Sequence, residues 1–422
     1  MTSIYFISTY KPILCGIADY LKFLLKEIPK EKWKVISFDL KNFQDSLGRL
    51  THEKKESSKQ VWYGITKRRA PNLNEILKGI KKFSKGKEKY ILWFQHEFGI
   101  WKNLRGFARL IRELDNLKIK KNISLHTIHF QSKETPWGMG KREYNLLKAI
   151  FPWVDAITVF SRGSYLAVKK AFPQHINKTH ILRHGIHYFP RIIKMSKDEA
   201  RRKVYQFLIE KSDLEEEKKT ALKKENIFLD PKILLIGSAG FVVPHKNTEK
   251  LFLMGKRLQK AFPREKVVAL YIGIPREKSK KKLNYSQKLK KMHDGKNIFF
   301  LETWLPEELL PIFQKALDIN FYWPKRCTQS GMLAYILGTG NLIAGRDMEG
   351  SGEMLKEAGQ IVDKDFEKLI LKIKKVISNP NLSKEIEKKT LKYAKKYSWE
   401  NQALRHYKLA AKIISYPNRN EG

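Results

Sequence analysis

Twice along this chain, short apolar runs alternate with longer amphipathic ones, and once that rhythm stops. The first series is "IYFIS" (4–8), "KVISF" (34–38), "YILWF" (90–94), "ISLHTI" (123–128), "AITVF" (156–160) and "THIL" (179–182). Between several of them lie helical patterns such as "GFARLIRELDNLK" (106–118), in which Phe107, Leu110, Ile111 and Leu114 fall on one face. Strands joined through helices run parallel, so this order predicts a sheet layered with helices. After Pro190 the pattern gives way to a charged stretch of helical character without strand candidates. It restarts with "KILLIGS" (232–238), "VVALYIG" (267–273), "NIFFL" (297–301), "DINFYW" (318–323), "NLIA" (341–344) and "GQIV" (359–362). The expected fold class is α/β, with two doubly wound, Rossmann-like parallel-sheet domains facing a cleft. They span 1–190 and 232–395, with a charged helical insertion or linker at 191–231 and a tail at 396–422, where Ser398 offers a helix start.

Length agrees with this division, since 422 residues exceed what one core ordinarily serves. No apolar run approaches the roughly 18–20 residues needed to span a bilayer. The N-terminus "MTSIYFISTYKP" lacks the basic region of a signal peptide, and the expected location is cytoplasmic. Cys15 and Cys327 are too few for a disulfide scaffold and lack zinc-ligand spacing, so each is read as a packing residue. The net charge of +41 admits two readings, attraction to an anionic partner or a lysine-rich composition spread over every solvated face. Residues 276–296 concentrate nine basic residues against two acidic ones. No RNP, helix-turn-helix or zinc-finger signature accompanies the charge, which disfavours nucleic acid as the partner.

In open parallel sheets, ligands bind at the carboxyl ends of strands, so the loops there hold the candidate chemistry. "STYKPILCGIADY" (8–20) places Gly16 ahead of a helix whose first amides suit a phosphate, though an ordinary turn explains it equally well. "WFQHEFGIW" (93–101) delivers Gln95, His96 and Glu97 to a strand end. In "SLHTIHFQ" (124–131), His126 and His129 would face opposite sides of a continuing strand, which argues against one shared metal but leaves one of them able to donate into the cleft. "RHGIHYFP" (183–190) reads as a turn into the linker. "GSAGFVVPHKN" (237–247) puts Lys246 after Gly240 and a proline, as would suit a phosphate, without being a P-loop. "WPKRCTQSGMLAYILGTGNLIA" (323–344) carries Ser330, Gly331, Gly338 and Gly340, small residues expected to let a ligand approach the backbone. "DKD" (363–365) precedes a helix that Asp363 or Asp365 is expected to cap, in preference to binding a metal.

Taken in order, "CGIADY" (15–20), "QHEFGIW" (95–101), "LHTI" (125–128), "GFVVPHKN" (240–247), "SGMLAYILGTGNLIAG" (330–345) and "YSWEN" (397–401) resemble the motifs of retaining glycosyltransferases of the GT-B fold, glycosyltransferase family 4 among them. The resemblance implies a hexosyltransferase whose first domain binds the acceptor, a glycan, glycolipid or small molecule. Its second domain would bind a UDP- or GDP-linked sugar as co-substrate, and the final helix would return to the first domain. It implies neither cofactor nor metal. Carried over by position, Gly16 would approach the donor diphosphate, His126 would lie beside the transferred sugar, and Lys246 would neutralise the leaving group. The amides from Ser330 through Gly331 and Met332 to Leu333 would cradle oxygens, and His96, Glu97 and Gly240 would complete the site. Two departures stand out. Phe241 occupies a position where the family commonly has arginine, and Arg326 and Ala334 stand where it keeps two glutamates, the first for sugar hydroxyls and the second for the ribose. Arg326 or Gln329 are candidate substitutes. A lipid-linked acceptor and peripheral contact with an anionic inner-membrane surface are compatible with this reading. The alternatives are a catalytically weakened sugar- or nucleotide-binding GT-B protein and a basic nucleic-acid-binding protein.

Overall fold

The computed structural model describes residues 2–43, 57–66, 72–84, 89–275 and 280–416, so residues 276–279 of the basic stretch lie outside the described residues. The chain divides into two compact units, residues 1–185 with 397–422 and residues 186–396.

The first unit holds a seven-stranded sheet of β1 (Thr2–Ile7), β2 (Trp33–Phe38), β3 (Val61–Ile65), β4 (Lys89–His96), β5 (Lys121–Leu125), β6 (Ala156–Val159) and β7 (Thr179–Ile181). All its pairings are parallel, in the spatial order β3-β2-β1-β4-β5-β6-β7. Successive side chains of a strand point to opposite faces. Tyr5 and Ile7 accordingly enter one core, beneath helices such as Leu104–Asn116, while Ile4 and Phe6 enter another. That second core is closed by the helices Gly16–Lys26 and Trp399–Ser415. The Ser398 hydroxyl caps the latter helix by accepting from the Asn401 amide at 3.3 Å. Its Trp399 lies so close to Gly185 that a Cβ there would sit 2.2 Å from the indole.

The second unit holds β8 (Leu234–Ala239), β9 (Val267–Ile272), β10 (Ile298–Leu301), β11 (Ile319–Tyr322), β12 (Ile343–Arg346) and β13 (Ile361–Asp363), in the order β10-β9-β8-β11-β12-β13. Its pairings are parallel as well. The segment read as an insertion or linker lies within this unit. Its helix Lys197–Gln206 and the π-turn Phe207–Lys211 put Ala200, Val204 and Leu208 one turn apart into a core shared with Leu235 and Leu270. Arg201 is buried beside them. It donates to the carbonyls of Ala316, Asp230 and Ile233 at 3.1, 3.3 and 3.1 Å and to Asp318 at 2.7 Å. A charge in that position is tolerated because each donor finds an acceptor.

Asp365 caps the helix Phe366–Ile377, accepting from the Lys368 amide at 2.9 Å, and Asp363 is engaged by Lys372 at 2.8 Å. Among the described residues, no group of three or more His, Cys, Asp or Glu could hold a metal ion, and no helix is long and apolar enough to cross a membrane. Cys327 packs as a half-buried free thiol, accepting from the Tyr322 hydroxyl at 3.0 Å, and its burial pushes the thiol pKa up.

Candidate functional site

Each sheet has one place where strand order reverses, and in doubly wound sheets the crevice there receives ligands. In the first unit it lies between β1 and β4, in the second between β8 and β11. The sequence-predicted residues collect at the carboxyl ends of these two strand pairs and their neighbours.

In the first unit, β1 leads through residues 8–15 to Gly16, the first residue of its helix, exposed and with nothing within 4 Å of a Cβ built there. Packing of the protein itself makes no demand for glycine at this position. Within the preceding loop, Lys11 is ion-paired with Asp19 at 2.5 Å. Strand β5 stops at Leu125, so His126 stands just past the strand end and not on a strand continuing to residue 128. The His126 amide donates to the His96 carbonyl at 3.1 Å, and its Nε2 shares a 2.6 Å hydrogen bond with Gln95 Oε1. Thr127 donates to Glu97 at 2.5 Å, which fixes that carboxylate at the same strand end. His96 behaves differently from the ligand contact expected of it. Its ring is buried against Phe98 and Phe107, and burial first, with Arg142 second, lowers its pKa to about 3. It is a neutral core group.

Behind His126 lies a buried aromatic and histidine cluster. The Tyr20 ring meets His126, His184 and Trp399 at centroid distances of 5.0, 5.3 and 5.2 Å, and its hydroxyl bonds His406 Nε2 at 3.2 Å. Burial holds the pKa values of His184 and His406 down to about 4 and that of His126 well below the ordinary value, His184, His96 and His406 adding to the last. In an unfolded chain these imidazoles titrate near pH 6.5. Between pH 6.5 and about 4 the unfolded state therefore binds more protons than the folded state, and stability is lost as pH falls. Each histidine costs roughly 1.4 kcal/mol per pH unit in that window. The urea midpoint of the first unit is expected to drop from pH 7 to pH 5, and the double variant His184→Gln, His406→Gln to flatten that slope. An unchanged slope in the double variant would remove these histidines as its source.

In the second unit, three segments meet. Just past strand β8 stands Gly240, held at a φ of +115° that side chains rarely adopt. A Cβ there would lie 2.8 Å from Lys246 Nζ and 3.0 Å from Met332 Cε, so the lysine of the 244–246 turn and the first turn of the helix Gly331–Thr339 converge on one glycine. Beside them opens a small recess lined by Ser238, Lys246, Thr248, Trp323, Pro324 and Met332 among others. Thr248 is buried there, its amide donating to the Tyr285 hydroxyl at 2.9 Å. Thr248 and the Trp323–Pro324 wall were not singled out in the sequence. Their signal was position alone, one residue beyond "HKN" and immediately beyond a strand.

Ser330 caps the helix Gly331–Thr339, its hydroxyl accepting from the Leu333 amide at 3.3 Å. That amide is therefore used internally, and Leu333 is buried, which removes it from the cradle expected of residues 330–333. Gly331 and Met332 remain, with no carbonyl one turn before them. Gly331 is exposed, and nothing lies within 4 Å of its Cβ position. Gly338 and Gly340 have other duties than ligand approach. A Cβ on Gly338 would be 1.8 Å from the His187 carbonyl oxygen, and Gly340, at φ +77°, terminates the helix. Ala334 is buried, and its carbonyl accepts from the His187 amide at 3.2 Å. Arg326 is exposed and outside the recess lining, while the half-buried Gln329 keeps an amide oxygen without a partner among the described residues.

No sequence family matches the chain, and no curated protein sequence matches it. Solved structures do. HepE from Anabaena, in complex with UDP, is similar at 11% identity over 97% of this chain and 100% of that one, with a TM-score of 0.67. The sucrose-phosphate synthase of Thermosynechococcus elongatus is 12% identical over 98% and 100%, with a TM-score of 0.68. A UDP-forming α,α-trehalose-phosphate synthase from Burkholderia xenovorans is 14% identical over 99% and 100%, with a TM-score of 0.67. With two parallel-sheet α/β units of seven and six strands and these neighbours along its length, the chain has the GT-B fold.

Proposed function

We propose that the protein is a retaining, family 4-like hexosyltransferase that needs no metal ion and takes its sugar from a UDP-linked donor. The supporting observation is the convergence of Lys246, Gly240 and the first turn of Gly331–Thr339 at the reversal point of the second sheet. A departing diphosphate accumulates negative charge, and an ammonium together with unpaired helix amides is the arrangement that stabilises it. Gly240 leaves the room in which the lysine lies, and Gly331 leaves the helix start accessible. His126, neutral and held by Gln95, would donate to or accept from a sugar hydroxyl rather than carry charge. UDP is favoured over GDP because the similar HepE was solved with UDP and with UDP-glucose. The acceptor, by likeness to a trehalose-phosphate synthase solved with glucose-6-phosphate, is a sugar or sugar phosphate.

The first test is thermal unfolding with UDP, GDP and UDP-glucose. A ligand present at about 100 times its dissociation constant stabilises by about 2.7 kcal/mol, which UDP should do and GDP should do more weakly. Stabilisation by neither nucleotide, together with no release of UDP from UDP-glucose, would sink the proposal. Tight UDP binding without turnover, even with sugar acceptors supplied, would instead leave a sugar-nucleotide-binding protein, as the missing glutamates at Arg326 and Ala334 allow.

A further inference from the structure

One layer of the first unit carries charge of a single sign toward solvent. The helices Leu73–Phe83, Leu104–Asn116, Lys141–Ile150 and Arg162–Ala171 bury Ile80, Phe107, Leu146 and Val168 in one common core, on the same side of the sheet. Their outward faces follow from the helical period. On the second of them Arg105, Arg109 and Arg112 form an exposed row, spaced four and three residues apart. The third exposes Lys141, Arg142 and Lys148, and the fourth Arg162, Lys169 and Lys170. The first adds Lys78, Lys81 and Lys82.

Each carboxylate of these four helices is either buried or engaged by a neighbouring donor. Glu143 is buried, Asp115 is held by Lys121 at 2.8 Å, Glu113 lies 3.7 Å from Arg109, and Glu75 accepts from the Thr66 amide at 3.1 Å. In the loop before the third helix, exposed Glu134 accepts from the Lys141 amide at 2.8 Å. In the second unit the helix Glu249–Ala261 also exposes only basic charge, on Lys256, Arg257 and Lys260, whereas two others mix signs. Helix Glu216–Glu225 exposes Glu216 and Glu217 with Lys223, and helix Pro380–Lys396 exposes Glu385 and Glu387 with Lys384 and Lys388.

We propose that this helical layer docks the protein on an anionic lipid surface. Helices packed side by side at 8–10 Å make the layer roughly 25–30 Å wide, a plane rather than a groove. Phosphate headgroups are plane-filling anions that arginine binds through paired N–H donors. Leu166, 42% exposed between Arg162 and Lys169, and Leu117, 49% exposed beyond Arg112, supply the apolar contacts that accompany interfacial binding. Single-stranded nucleic acid is bound on stacking aromatics, and the exposed aromatic residues Tyr188, Trp304 and Tyr416 all lie outside these helices.

Co-sedimentation with vesicles of phosphatidylcholine, alone or mixed with phosphatidylglycerol, tests this without any sugar nucleotide. Binding should appear only with the mixed vesicles and weaken with salt. The triple variant R105E/R109E/R112E should lower it by about a hundredfold or more. The charge-matched variant K384E/K388E/K392E, on the second unit, should keep it within about threefold. Should the glutamate triple melt early, the neutral R105Q/R109Q/R112Q replaces it, with a loss of at least about tenfold. Equal losses in both triples would mean that net charge alone decides, and would overturn the proposal. So would release from the mixed vesicles by equimolar double-stranded DNA that binds through the same arginines, which would reassign the face to nucleic acid.

Discussion

Lys246→Ala should lower turnover of UDP-glucose by on the order of 10²-fold or more while leaving the unfolding temperature nearly unchanged. The asymmetry follows from where the lysine sits. It is half-buried at the end of a short turn, so its removal opens no cavity in the apolar core. Its ammonium lies within reach of Gly240 and Met332, at the strand reversal where a diphosphate would meet helix amides. An interaction that grows as the leaving group gains charge acts mainly on kcat, whereas one made equally with bound substrate acts on KM. Steady-state kinetics that separate the two are the measurement. Turnover within about threefold of the parent protein would remove Lys246 from the catalytic role.

The second large effect concerns the fold. Arg201→Ala should destabilise the second unit by about 3–5 kcal/mol, because it leaves buried acceptors without their donor. The carbonyls of Ala316, Asp230 and Ile233 lose the guanidinium at once, Asp230 retaining the Ile233 amide at 3.3 Å, and Asp318 keeps Lys197 and the Leu235 amide. Lys197 contacts the same carboxylate at 2.5 Å, but with 45% of its side chain exposed it provides a contrast, and Lys197→Ala should cost at most about 1 kcal/mol. Urea unfolding of both variants decides the matter. Similar small losses would show that the helix Lys197–Gln206 is held by Ala200, Val204 and Leu208 alone.

The same region shows why part of the architecture was hidden in the sequence. Ala200, Val204 and Leu208 form a readable stripe, but the arginine beside Ala200 and the surrounding lysines and glutamates lower the local hydropathy until the segment resembles a linker. Strand β3 was missed for a related reason. Its "VWYGI" contains Gly64, which interrupts the β-favouring run, and the structure gives the space of the absent side chain to the Trp62 ring, 2.0 Å from where a Cβ would stand. The other strands were legible because each is a compact apolar run ending in glycine or a polar residue. What the sequence could not disclose was which small residues answer to packing. Gly338 and Gly340 look like Gly331 in the one-letter string, and only the three-dimensional neighbours separate a backbone contact and a helix stop from an open approach.

The division of the chain into residues 1–185 with 397–422, interrupted by 186–396, also dictates an order of assembly. The first sheet precedes the second unit along the chain, yet the helix that covers Tyr20, Trp93 and His184 follows it. The second unit is contiguous and can complete its own core while the first still presents an uncovered apolar flank to chaperones and proteases. A chain cut short anywhere before Trp399 would keep that flank bare.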